Sequence, residues 1–99
     1  MKNAIYIRKT DSPHGFAALY RLEPPLQGDK GEMLDYVIVS AANKPEWGLI
    51  ETYIFPANET GEITDFGELD GSFKGGCDHV QALNNAGYQV VGLLEEVEP

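Results

Sequence analysis

Tyr36-Val37-Ile38-Val39-Ser40 is the stretch that decides the fold. Three consecutive β-branched residues lose χ1 freedom in a helix and pack well on a pleated surface, so it reads as a strand near the centre of a sheet. Towards the C-terminus, Asn43 to Gly48 makes a turn around Pro45, and Leu49 to Phe55 follows with apolar side chains on both alternating faces, as an inner strand requires. Pro56 to Gly61 is a loop. Glu62-Ile63-Thr64-Asp65-Phe66 then alternates polar and apolar residues, the pattern of an edge strand with one wet face. Towards the N-terminus, Ala4 to Arg8 and Phe16 to Leu22 read as two further strands, joined by the turn residues Asp11-Ser12-Pro13-His14-Gly15. Consecutive prolines cannot donate to a ladder, so Pro24 to Glu32 is expected to be a loop.

Beyond the edge strand, Leu69 to Gly76 is punctuated by Gly71, Gly75 and Gly76, which predicts irregular backbone. Asp78 to Ala86 is the one helix, with Asp78 at the N-cap or in the first turn, Val80 and Leu83 turned to the sheet, and Gly87 supplying a positive-φ stop. Tyr88 to Leu94 is a last strand before the acidic tail Glu95 to Pro99. The expected fold is a single two-layer α+β domain over residues 1–99, a mostly antiparallel sheet of four or five strands with one short helix near the C-terminus. Val37, Ile38, Val39, Tyr53, Leu83 and Val90 are its expected core.

The charge is uneven along the chain. Of the net charge of -9, residues 1–44 contribute six bases against five acids, and residues 45–99 contribute eleven acids against Lys74 alone. Nucleic acid and anionic membrane surfaces both demand a basic footprint, so neither is an expected partner. No stretch reaches the ~20 apolar residues that cross a bilayer, and the start of the chain lacks the basic head and apolar run of a signal peptide. With a single cysteine, Cys77, no internal disulfide forms, and the cytoplasm is the expected compartment.

Three groups of residues bear on chemistry. Cys77, Asp78 and His79 are adjacent, but neighbouring helical side chains diverge by ~100°, so they do not make a nucleophile and base. The two histidines, His14 and His79, show no zinc spacing, and Asp65, Glu68 and Asp70 do not follow a calcium loop; neither metal nor cofactor is expected. Gly71-Ser72-Phe73-Lys74-Gly75-Gly76 runs into the helix and offers either an anion site, from Gly71, Ser72, Lys74, Gly75 and Gly76, or a tight strand-to-helix connection. The third group is the acidic run Glu59, Glu62, Asp65, Glu68 and Asp70, with no base among them. In an extended segment its carboxylates would lie ~7–10 Å apart, comparable with the phosphate spacing of a nucleic-acid strand. Glu59, Glu62, Asp65, Phe66, Glu68 and Asp70 are therefore the expected partner-binding residues, with Phe66, Phe73 or Trp47 as aromatic anchors.

Ile7-Arg8-Lys9-Thr10-Asp11, Glu51 to Ala57, Gly61 to Leu69, Gly71-Ser72, Gly75-Gly76, Asp78-His79, Ala82-Leu83 and Ala86-Gly87-Tyr88 together resemble a group of small phage and prophage accessory proteins. The resemblance implies a phage-encoded protein and carries over no catalytic residues. With the charge pattern, the expectation is a non-enzymatic protein that occupies a basic, nucleic-acid-binding surface of a host protein such as a defence nuclease and inhibits it. The alternatives are a binder of small anionic ligands or nucleotides, and a minor virion or assembly component.

Overall fold

A computed structural model of the chain describes residues 2–10, 15–28, 31–44, 46, 48–64, 69, 71–76 and 78–92. The central stretch is a strand, and it extends further than its β-branched centre: β3 is Met33–Lys44. Around it lie β1 (Asn3–Thr10), β2 (Gly15–Gln27), β4 (Leu49–Ala57), the two-residue β5 (Phe73–Lys74), α1 (His79–Asn85) and β6 (Gln89–Val91). The sheet order is β5-β4-β3-β2-β1-β6, so β3 sits near the middle as its composition requires.

The coarse architecture expected from the sequence is present: a small, mostly sheet fold with one short helix near the C-terminus. Its details differ. The described residues form six strands, and the last one pairs parallel to β1, through Asn3↔Gln89, Ala4↔Val90 and Ile5↔Val91. The chain has to travel from one edge, β5, to the opposite edge, β6, which on a flat sheet is five steps of about 4.8 Å, or about 24 Å. Residues 75–88 make that connection, and the seven in α1 advance only about 10 Å of it. The sheet is curled into a half-barrel, which brings the two edges nearer.

Ala4, Ala18, Tyr20, Leu22, Val37, Val39, Ile54, Ala82, Leu83 and Tyr88 form the core beneath the helix. On α1 the inward residues are His79, Ala82 and Leu83, not Val80, which is 36% exposed. With the helix starting at His79, the inward stripe runs 79, 82, 83, and Val80 falls about a sixth of a turn beyond its edge. Of the expected core, Val37, Ile38, Val39 and Leu83 are buried, while Tyr53 and Val90 are only half-buried. Asp78 caps the helix by accepting from Gln81 N at 3.1 Å, and Gly87 follows the helix at φ +96°.

Two register shifts shape the sheet. Between Tyr6 and Arg8 the β1–β2 ladder skips Ile7, so Arg8 stands opposite Leu19 on the face away from the helix. Between Arg21 and Leu26 the β2–β3 ladder shifts, Arg21 pairing with Tyr36 and Leu26 with Leu34. Leu22 to Pro25 bulge out against Asp35 alone, which is how two prolines lie inside a strand rather than in the expected loop. The Tyr88 hydroxyl donates to Pro24 O at 2.6 Å.

Candidate functional site

The face away from the helix carries a second apolar cluster of Ala17, Leu19, Ile38 and Ala57, with Tyr36 and Ile63 packed on it. Leu19 is fully buried because residues 58–64 cross the sheet above it as a strap. The crossing follows from one contact: the Arg8 guanidinium on β1 donates to Thr60 O, although the strap leaves from β4, three strands away. A Cβ on Gly61 would strike the Arg8 guanidinium and touch Thr10, so the strap lies directly on β1. It closes on Asn58, whose Oδ1 accepts from Thr60 N, Thr60 Oγ1 and Glu62 N at 2.7–3.1 Å.

This geometry corrects the expected edge strand. Among the described residues of 62–66, only Ile63 pairs, in an isolated bridge to Ala57, because the Asn58-centred turn folds the backbone at Gly61. Glu59 and Glu62 are therefore not steps of an extended ladder; both are exposed on a closed turn. Asp65, Phe66, Glu68 and Asp70 lie outside the described residues, as do Trp47, His14 and Cys77. Phe73, expected as an exposed anchor, packs against the core under the helix.

Beside the strap lies an open cleft of 410 Å³ lined by Arg21, Leu22, Glu23, Pro24, Pro25, Asp35, Tyr36 and Glu59. The bulge of β2 builds one wall, β3 supplies Asp35 and Tyr36, and the strap contributes Glu59. Arg21 is held by Glu23 at 2.8 Å. Asp35 and Glu59 have no ionic partner among the described residues, so the cleft presents two free carboxylates beside a half-buried tyrosine. Sequence reasoning missed Arg21, Glu23 and Asp35. The one local signal was Arg21-x-Glu23, which in a strand puts both charges on one face.

The glycine-rich segment is engaged with the protein's own groups. Ser72 Oγ accepts from Ile54 N and donates to Leu69 O, both at 2.9 Å, and Gly75 N donates to Ile50 O at 2.6 Å. Gly71, at φ +107°, lies so close to α1 that a Cβ would sit 2.6 Å from Ala82 O. Thr52 Oγ1 accepts from Asp78 N at 3.0 Å and donates to Gly76 O at 2.8 Å, while the Asp78 carboxylate occupies the position an anion would take at the helix start. Lys74 remains exposed. These contacts make the segment a tight strand-to-helix connection in which Ser72 and Gly75 are engaged with the protein's own backbone.

His79, the first residue of α1, is buried against β2. Its Nε2 lies 3.1 Å from Phe16 O, its Nδ1 lies 3.1 Å from the Tyr20 hydroxyl, and its ring stacks on Phe16 with centroids 4.5 Å apart. Burial pushes the Tyr20 hydroxyl and the Tyr88 hydroxyl above the usual phenol range, and lowers His79 despite the opposing pull of the Phe16 carbonyl and Asp78. No cluster of three or more metal-ligating side chains occurs among the described residues, and no helix among them is long and apolar enough to cross a membrane. Compared with known protein families, curated proteins and solved structures, the chain matches none.

Proposed function

We propose that this chain is a non-enzymatic acidic binding protein that occupies a basic, nucleic-acid-binding surface of another protein and so obstructs it. The phage resemblance directs the reading to a defence enzyme of a bacterial host such as a nuclease, whose nucleic-acid channel needs a basic surface. The observation that carries the reading is the cleft beside the strap, where Asp35 and Glu59 are exposed with no ionic partner among the described residues while Arg21 is neutralised by Glu23. Glu62 adds a third exposed carboxylate on the same strap, and the Asn58 hydrogen bonds hold that strap in one shape. A preformed surface loses less ordering entropy on association than a mobile one. The anionic-ligand reading gains less support, since Ser72 N, Ser72 Oγ and Gly75 N already donate within the protein.

The test compares the chain with its D35N/E59Q/E62Q variant, which keeps shape and removes three charges. Both are immobilised and exposed to host lysate, and any captured protein is purified and titrated against its nucleic acid with each chain as competitor. The expected result is a basic nucleic-acid-binding protein, competed by the chain and at least tenfold less by the variant, with association slowing as salt shortens the Debye length from ~30 Å at 0.01 M to ~8 Å at 0.15 M. Equal competition by both proteins would make the carboxylates merely solubilising and end the proposal.

A further inference from the structure

We propose that the seat of His79 is a proton-operated latch, which locks α1 onto the sheet when the ring is neutral and releases the helix when the ring is protonated. This inference is independent of the partner reading above. A carbonyl can only accept, so Phe16 O fixes the proton on Nε2, and Nδ1 must then accept from the Tyr20 hydroxyl. In that neutral state both ring nitrogens and the Tyr20 hydroxyl are satisfied in a site where His79 is 6% and Tyr20 0% exposed.

A second proton on Nδ1 breaks the set. The Tyr20 oxygen would have to turn and accept, leaving its own buried O–H with no acceptor among the described residues. Among the described residues the new charge would also lack a counter-ion in contact. Asp78, the adjacent carboxylate, is exposed and turned to cap Gln81 N. From β1 come Tyr6, edge-on to Tyr20 at 5.8 Å, and the Lys9 ammonium, 5.6 Å from the centre of the Phe16 ring on which His79 stacks; the second of these is a cation. From β3 and β4 the core beneath α1 receives Val37, Val39, Thr52 and Ile54, all uncharged.

The helix is poised to respond. Seven residues cannot sustain a helix in water without tertiary packing. His79 is the inward residue of the first turn, and Ala82 and Leu83 hold the second. Burial lowers the proton affinity of the docked ring, so the undocked ring takes up its proton first. Docking is thus strongest above about pH 6.5, the free-histidine value, and weakens up to tenfold per pH unit as pH falls from there towards the docked-ring midpoint.

The test uses the full chain labelled with nitrogen-15. Long-range ring correlations should show His79 as the Nε2–H tautomer at pH 7.5, with a titration midpoint below 6.5, and amide protection factors for Ala82 and Ala86 should fall tenfold or more across that titration. His79→Gln retains a donor for the Phe16 carbonyl but does not titrate in this range, and its helix protection should stay flat over the same interval. A wild-type ring that protonates while the Ala82 and Ala86 protection factors hold steady would overturn the latch, as would the same fall in the glutamine variant. If that variant does not fold, the wild-type ring and amide titrations decide alone.

Discussion

Replacing Gly71 with alanine should cost far more than replacing Gly75, although both glycines have positive φ, +107° and +93°. The left-handed backbone alone costs an L-residue about 1–2 kcal/mol at either position. At Gly75 nothing lies within 4 Å of the added Cβ. At Gly71 the same atom would meet Ala82 O at 2.6 Å, Ile54 Cδ1 at 2.9 Å and Ala86 Cβ at 3.1 Å. Ala82 O is helix backbone and cannot rotate aside, so α1 must move off the sheet, an overpacking cost of about 1–3 kcal/mol. The entropy gained by removing a glycine from the unfolded chain is common to both variants and cancels in the comparison. Gly71→Ala should therefore lose about 1–3 kcal/mol more than Gly75→Ala, a large share of the roughly 5–15 kcal/mol typical of a domain. Urea unfolding followed by far-ultraviolet circular dichroism measures both. Equal losses would refute the close approach of Gly71 to the helix and return the segment to the open-loop reading.

Other perturbations probe neighbouring contacts. Leu83→Ala should lose about 2–5 kcal/mol in the same denaturation assay while Val80→Ala stays within about 0.5 kcal/mol, because only the first opens a cavity in the core. Thr52→Val keeps the volume but strips the fully buried hydroxyl from Asp78 N and Gly76 O, and should cost about 1–3 kcal/mol on thermal unfolding. Arg8→Ala should free the strap at Thr60, so that a glutamate-specific protease cuts after Glu59 or Glu62 faster than in the wild type; an unchanged cleavage rate at both sites would show that Asn58 alone holds the strap.

Local chemistry is enough wherever one residue's own preferences settle its backbone. Val37-Ile38-Val39 is a central strand because β-branched side chains fit a pleat, Asp78 caps because its carboxylate reaches an unpaired N–H, and Gly87 ends the helix because it tolerates positive φ. The charge division between the two halves needs no structure either. Tertiary structure decides what depends on groups far apart in the chain. Hydropathy ranks valine above histidine and so points Val80 inward on α1, whereas Tyr20 and the Phe16 carbonyl give His79 the hydrogen bonds that make its burial tolerable. The strap imitates an edge strand in the sequence because alternation of polarity describes faces and not partners; Arg8 reaches Thr60 only because the skipped Ile7 turns Arg8 to the far face. The cleft joins Arg21, Asp35 and Glu59 from three segments through a register shift between β2 and β3, and register is a property of two strands together, which neither sequence carries alone.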